Sequence, residues 1–533
     1  MRSAKLAVVA RIMAAALVAW PPASTAITAD GPGPRGIAVE IADGRTVLEV
    51  LANRDDDDRD GAADAADDRV NGPADERDLA PLVVRVADPR AARLRVSARE
   101  APLRFFVREA EGWRHAGLGA AEVPVAPGAD GRDGGGRTVT LHVESTAWAG
   151  LPAGWDGAAR IAIEAVDAEG AVVGEAQADC RVAPVLLRPG TARATEVFVS
   201  SGRYDNEPFL AALRAALEPL GVSLVVHPAA DWKEMWMQDT MEVATVSIPA
   251  SRMHVVLDGL RGADGFPPTL LGPDTAVARV AEPRALSDGD DWADWYGNLE
   301  VSPPLVGHPA GRVIHGRNTR TGQTFHPEVV RFLAAQGAQA PLWIDTSWLM
   351  IKHVDEIVAF LPGPDGKGVL LVADPEEGLR LAGGLAADAA VVEANRRIAR
   401  LIDEMLEGTD GTARAGVVGE DNAAGGRSSG LLDLLGLDRV RVVRLPVAFR
   451  VPAEGLDAAG GVTNAGTAWS SPVNALYVNG TVICGSADMP DTVRETCRER
   501  FLAAGATDVV FIDDGVYQHR GGNVHCATNA RRE

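Results

Sequence analysis

From Ile37 to Arg188, apolar and polar residues alternate in short runs broken by glycine, proline, aspartate and asparagine. Residues 45–50, 82–86, 137–143 and 160–165 are examples, and a period of two predicts strands with one face buried. Short strands at this spacing predict a β-sandwich. Residues 128–136 read as a Gly/Asp loop. After Pro189 the texture changes. Residues 195–200 read as a strand, 207–220 as an amphipathic helix, and 223–227 as another strand. Units of the same kind recur at 326–360, 390–447 and 491–513, and Asn479-Gly480 marks a hairpin. The second part is therefore mixed α/β, with a domain boundary near 188–195. Periodicity alone does not choose between a doubly wound layer and a propeller.

Residues 1–26 have the pattern of a signal peptide. Arg2 and Lys5 supply a positive start, 6–20 an apolar stretch broken only by Arg11, and Ser24-Thr25-Ala26 a small-residue cleavage site. The apolar run is too short for a membrane anchor, and no later segment has the length and apolarity to span a bilayer. The expectation is an exported protein, secreted or periplasmic.

Composition narrows the partners. In 533 residues, 74 acidic side chains face 52 Lys and Arg, a formal charge of −22. Nucleic acid needs a basic surface, so it is excluded as a partner, whereas bound cations and cationic substrates fit. Four scattered cysteines, Cys180, Cys484, Cys497 and Cys526, do not form a disulfide framework, although Cys484 and Cys497 are close enough in sequence to pair.

Eleven of the acidic residues cluster at 53–78. Asp56, Asp58 and Asp60 alternate, Gly61 follows, and Asp64 and Asp67 fall where an EF-hand-type loop carries later ligands. Calcium takes roughly six to eight oxygens, and one loop of this kind supplies most of them. Three further groups carry chemistry. Gln238, Asp239 and Glu242 gather oxygens beside Trp236. His353 and Asp355, on an extended chain, project from one face as an acid/base and anchor pair. The Gly-rich run 521–529 leads to Cys526, a candidate nucleophile.

Trp236-Met-Gln-Asp-Thr-Met-Glu-Val243, Tyr296-Gly-Asn-Leu-Glu-Val-Ser-Pro-Pro304, His353-Val-Asp-Glu356, Phe511-Ile-Asp-Asp514 and Val524-His-Cys-Ala-Thr-Asn-Ala-Arg-Arg532 occur in that order. Together they resemble the motifs of the protein-arginine deiminases. The resemblance implies a signal peptide (1–26), an immunoglobulin-like β-sandwich with an acidic calcium-binding loop (27–190) and a five-bladed α/β-propeller catalytic domain (191–533) of the pentein type. It implies calcium-dependent hydrolysis of peptidyl-arginine to peptidyl-citrulline, with arginine-containing peptides or proteins as substrates. Cys526 would attack the guanidinium carbon, His353 would act as acid and then base, and Asp239 and Asp355 would grip the guanidinium. Trp236 would flank the substrate stem, and Arg261 would hold its backbone.

Several calcium ions are implied as well. Gln238, Glu242 and Glu300, with the carbonyls of Tyr296 and Leu299, match one family site. Asp258 matches a neighbouring one, where Thr240 stands in place of a glutamate. In the acidic loop the family register selects Asn53, Asp55, Asp57, Asp64, Asp67, Asp75 and Asp78, with Asp274 reaching across from the catalytic domain. The EF-type register selects Asp56, Asp58 and Asp60 instead, and the sequence leaves both open. Two other activities share parts of this pattern: a deiminase of free arginine or another small guanidine, and an inactive calcium-stabilised binding protein.

Overall fold

The structure, a computed structural model, describes residues 36–41, 44–126, 137–202, 204–229, 233–261, 265–284, 291–418, 428–457 and 460–533. The expected signal peptide at 1–26 lies outside the described residues, as does the loop at 128–136 apart from its last residue's neighbour, Arg137, which opens a strand.

The alternating N-terminal segments form two five-stranded sheets. One runs in the order Ile37–Ile41, Ala80–Val86, Arg137–Ser145, Leu103–Glu109, Gly112–Leu118; the other runs Val47–Val50, Val172–Val182, Ala158–Val166, Arg93–Ser97, Ala120–Pro124. Leu82, Val84, Leu141 and Val143 of the first sheet share one apolar cluster with Val96, Ile161, Ile163 and Val182 of the second. The period-two pattern thus reports a two-layer β structure buried between its sheets. The cluster does not stop there. It continues through Val185 and Leu187 to Val255, Phe325 and Phe332. Buried Gln336 and Gln339 fix the passage, their side-chain oxygens accepting from the backbone of Val185 (3.0 Å) and Leu187 (2.9 Å).

Beyond residue 186 the described chain forms five sheets of three or four strands and one two-stranded pair. It is not a single doubly wound layer. Each of the five has a central strand paired antiparallel on one side and parallel on the other. The central strands are Ala194–Ser201, Arg252–Asp258, Val313–Arg317, Val369–Asp374 and Thr481–Gly485. The last strand of the chain, Thr528–Arg532, pairs with the first of these, so the two ends of this region meet.

The expected elements form where local chemistry asks for them. Glu207–Leu217 is a helix that buries Phe209, Leu210, Leu213 and Leu217 on one stripe. Ala389–Glu407 starts at Asp388, whose side chain accepts from the Ala390 and Val391 amides, and stops at Gly408 with φ 78°. Asn479 and Gly480 take φ 47° and 103°, the left-handed pair a tight hairpin requires. Among the described residues no helix is long and apolar enough to cross a membrane.

Candidate active site

The five sheets deliver side chains to one place by the same device. In each, one strand runs antiparallel to the central one on the side away from its parallel neighbour (the outer strand, although Leu186–Leu187 flanks Met241–Ser247), and the residue two positions ahead of it lies in a tight turn or loop. Those residues are Asp239 before Met241–Ser247, Gly297 before Leu299–Val301, Glu356 before Val358–Leu361, Asn474 before Leu476–Val478, and Cys526 before Thr528–Arg532. All five are buried.

These residues touch one another. The Asp239 carboxylate accepts from the Gly297 amide (3.1 Å) and lies 3.6 Å from His353 Nδ1. A Cβ on Gly297 would sit 2.6 Å from both Asp239 Oδ1 and His353 Nδ1, so only glycine fits there. His353 Nε2–H donates to the Trp292 carbonyl (2.8 Å). Cys526 Sγ lies 3.4 Å from Asp355 Oδ2, which His525 Nδ1 also approaches at 3.0 Å. Asp355 Oδ1 is buried and has no hydrogen-bond partner among the described residues. Burial pushes the Asp239 carboxyl up, against the pull of His353 and Arg261, and Asp355 adds to the push. Burial and then Asp355 and Asp239 drive the Cys526 thiol well above its ordinary value. The two carboxylates and the thiol therefore sense one another directly.

The structure corrects one expectation. His353 and Asp355 are not on an extended strand. Val354–Glu356 is a single 3-10 turn, and His353 precedes it. The Glu356 carboxylate accepts from the His353 amide (3.4 Å) and closes the turn, which alternation along a strand cannot represent. The pair reaches the site nonetheless.

Arg261 is also in the site. Its Nη1 donates to Asp239 Oδ2 (2.9 Å), and its guanidinium stacks on Trp295, 3.9 Å from the ring centroid. One carboxylate of the expected clamp thus already holds a guanidinium from the chain itself. Trp236 packs edge-on to Tyr517 and lies against Gly522, where a Cβ would come within 2.3 Å of its ring. Beside Cys526 a cavity of about 340 Å³ is lined by Met350, Glu356, Asn474, Gln518 and Gly522, among others.

Behind the site a cavity of about 40 Å³ is lined by Gln238, Glu242, Leu299, Glu300, His525 and Arg532. Tyr296 is not among the residues that line it; its ring is fully buried nearby, with a hydroxyl that has no partner among the described residues. Burial pushes the Glu242 and Glu300 carboxyls up to about 7 each. The two part-buried acids offer the carboxylate oxygens a hard divalent cation takes, while the Gln238 amide donates to Glu242 (2.8 Å) and its oxygen accepts from Asn529 (3.2 Å), so Gln238 would turn to join them. Asp258 stands apart from this cavity, its carboxylate held by Arg279 (2.8 Å), while the Thr240 hydroxyl donates to the Trp236 carbonyl.

The acidic loop folds with the family register inward. Asn53, Asp55, Asp64, Asp75 and Asp78 are buried, while Asp58 and Asp60 are exposed and serve local turns with Asp56. Asp55, Asp57 and Asp64 bring ligand oxygens within 4.8 Å of one another, as do Asp56, Asp58 and Asp60. What separates the two groups is unmet demand. Oxygens of Asn53, Asp55, Asp57 and Asp78 are buried without a partner among the described residues. Burial and neighbouring acids push Asp55 up to about 9, Asp57 to about 6 and Asp78 to about 7. Asp67 is half-buried and caps Arg69. Asp274 meets the loop with its amide, which donates to Asp55 (2.9 Å); its side chain is half exposed.

Sequence reasoning missed Asn474, His525 as a partner of Asp355, and Trp295. Asn474 lies in Ser470-Ser471-Pro472-Val473-Asn474, a run with no spacing that marks chemistry. Only the repeat of the outer-strand position exposes it.

The family model described as protein-arginine deiminase matches residues 174–533. Protein-arginine deiminase type-3 of Homo sapiens is 37% identical over 207 residues, 37% of this chain and 30% of that protein. Protein-arginine deiminase type-4 of Mus musculus is 29% identical over 380 residues, 66% of this chain and 55% of that one. The chain thus spans about half the length of the curated relatives it matches. Among solved structures, C. jejuni agmatine deiminase is 12% identical with a TM-score of 0.39, covering 66% of this chain and 96% of that one, a likeness too slight to carry weight.

Proposed function

The chain belongs to the protein-arginine deiminase family, and from that membership we propose that it hydrolyses peptidyl-arginine to peptidyl-citrulline and ammonia in a calcium-dependent reaction. One observation carries the reading: Cys526 Sγ lies 3.4 Å from Asp355, beside an Asp239–His353 pair, in a buried pocket where burial raises both the Asp239 carboxyl and the Cys526 thiol. A guanidinium is planar and permanently charged, and two carboxylates are its natural clamp.

The chemistry follows from these positions. Asp239 and the free oxygen of Asp355 bind the guanidinium on two sides and neutralise it. The Cys526 thiolate forms a bond to the guanidinium carbon, and the C–N bond breaks as His353 gives its proton to the departing ammonia. The thiouronium left on sulfur is then attacked by water, whose proton His353 takes. The C–S bond breaks, the thiolate is regenerated, and the urea group of citrulline is released. Orientation supplies much of the rate, since the sulfur and the carbon are held in place. For substrate to bind this way, Arg261 must let go of Asp239 and turn to hold the substrate backbone.

Glu242, Glu300, Gln238 and the carbonyl of Leu299 would hold one calcium ion, and Asn53, Asp55, Asp57, Asp64, Asp75 and Asp78 would hold others. When bound, calcium supplies the positive charge that these buried acids lack. The sheets at 36–182 support an immunoglobulin-like domain, and the five repeated sheets after 186 support a five-bladed propeller. The pattern at 1–26 supports export.

The test is citrulline formation from benzoyl-arginine amide and from free arginine, each with calcium and with excess chelator. Calcium-dependent turnover of the blocked arginine, lost in Cys526→Ala, is expected. Turnover that persists in Cys526→Ala removes the nucleophile, undiminished turnover in chelator removes the metal, and preference for free arginine makes the substrate a small guanidine.

A further inference from the structure

We infer that Asn474 is a further catalytic residue, whose side-chain amide donates a hydrogen bond to the sulfur of Cys526 and holds it as the thiolate. The inference rests on the proposed role of Cys526 as nucleophile. Asn474 Nδ2 lies 3.1 Å from Cys526 Sγ and 3.3 Å from the backbone carbonyl of Asp355. Asn474 Oδ1 accepts from the Cys526 amide at 3.1 Å. These partners fix which way the amide points. A backbone N–H can only donate, so the oxygen faces the Cys526 amide; a carbonyl can only accept, so the NH₂ faces Asp355 and the sulfur. A donor is therefore aimed at the reacting atom from a fully buried side chain, 1% exposed.

The surroundings give that donor a task. The carboxyl groups of Asp355, Asp239 and Glu356 face the thiol and oppose its ionisation, and the site is buried. Two imidazoles lie in the same cluster, but each is turned to a carboxylate: His353 to Asp239 and His525 to Asp355. A neutral donor stabilises a thiolate without adding a charge that would repel the incoming guanidinium. Asn474 keeps both its protons through the reaction. Its bond to sulfur weakens as the sulfur lone pair forms the C–S bond and is restored as that bond breaks and the pair returns to sulfur. The position itself supports the assignment. Asn474 sits two residues ahead of its outer strand, the place that Asp239 and Cys526 occupy in their own sheets.

The test uses the full chain in calcium, with Asn474→Ala and Asn474→Asp. The aspartate variant keeps the shape and the acceptor for the Cys526 amide but presents an oxygen to the sulfur, so it reports on the donor where the alanine variant fails to fold. Two quantities are read: the pH profile of Cys526 alkylation by iodoacetamide, followed by peptide mass, and kcat and KM on benzoyl-arginine amide. The expected result is a midpoint of alkylation raised by about one pH unit or more, further in the aspartate variant, since a donor to the charged sulfur is lost and an oxygen put in its place. A kcat lowered about 10- to 100-fold near neutral pH, recovering as pH rises, with KM little changed, is expected with it. Alkylation profiles and kcat that superimpose on those of the unaltered protein overturn the inference while leaving Cys526 as nucleophile. Retention of turnover by Cys526→Ala overturns both.

Discussion

Removing metal should make stability fall more steeply with pH. Between pH 7 and 8.5 the groups that metal can change are buried carboxyls whose protons are held in the fold and lost on unfolding; the four buried thiols add a fall of the same sign that metal does not touch. Burial pushes Glu242, Glu300 and Asp78 up to about 7, Glu144 to about 8 and Asp55 to about 9. Unfolded, each titrates near 4, so at pH 7.5 the metal-free fold carries roughly two protons more than the unfolded chain. A fold that binds the extra protons loses stability as pH rises, by about 1.4 kcal/mol per proton per pH unit, or about 3 kcal/mol per unit here. Groups with the opposite sign are silent in this window. The Asp88 carboxyl, held low by Arg90, and the Asp365 carboxyl, held low by Arg441, are ionised in both states. His254 and His315, pushed down to about 4 by burial, are largely neutral in both. His525, raised chiefly by Asp355 against its burial, adds to the loss with the same sign. For a chain of 533 residues an unfolding entropy near 1 kcal/mol/K turns that slope into about 3 °C per pH unit. Melting in excess chelator should therefore fall by several degrees from pH 7 to 8.5. In millimolar calcium the acids at the metal sites are ionised against the metal and drop out of this slope, while Glu144 and the four buried thiols, all raised by burial, remain in it, so the midpoint should fall clearly less than in chelator. Parallel profiles in chelator and calcium, or a chelator profile that rises with pH, refute the argument.

Three other outcomes follow from the geometry. Gly522→Ala should cost most of kcat with little change in melting, because its Cβ would sit 2.3 Å from the Trp236 ring and 3.1 Å from Cys526 Cβ; wild-type kcat would show that this approach is not needed. Arg261→Ala should raise KM for a blocked arginine peptide by about 10- to 100-fold, as expected for a lost charged hydrogen bond, while changing KM for free arginine far less; equal effects on both count against a role on the substrate backbone. Cys180, buried in the sandwich core with its thiol pushed up to about 12, should be dispensable for turnover, checked by activity of Cys180→Ala.

Period-two alternation and turn residues predicted the strands of the N-terminal sheets, because each such strand has one face in a core and one in water: Ala80–Val86 reads that way residue by residue. Asn479-Gly480 was legible for the same local reason, as was the stripe of the helix at 207–217. The turn at His353–Glu356 was not, since a side chain closing its own backbone overrides the local pattern. Nor was the inward register of the acidic loop. Asp55 and Asp56 are adjacent, chemically identical and both buried; only the fold decides that the Asp56 oxygens accept from the Asp60 and Gly61 amides while Asp55, docked against Asp274, keeps an oxygen with no partner among the described residues. Asn474 was invisible because its role depends on two contacts 52 residues away in sequence.

The same docking logic bears on how substrate enters. In the structure Asp239 is already paired with a guanidinium, that of Arg261, inside a wall made by Trp295. Breaking a buried ion pair by withdrawing one partner typically costs about 3–5 kcal/mol, because a bare charge is left behind. Exchanging one guanidinium for another avoids that cost at Asp239, since the carboxylate stays neutralised throughout. Asp355 is in the opposite position. Its Oδ1 has no partner among the described residues, and the His525 ring and the Cys526 thiol share its other oxygen. An incoming guanidinium therefore gains its new bond at Asp355 and merely replaces an old one at Asp239. Discrimination between arginine and a neutral isostere should accordingly reside at Asp355: Asp355→Asn, tested for binding in the Cys526→Ala background, should weaken a blocked arginine by more than Asp239→Asn does. The reverse order would mean that Arg261 is not the group the substrate displaces.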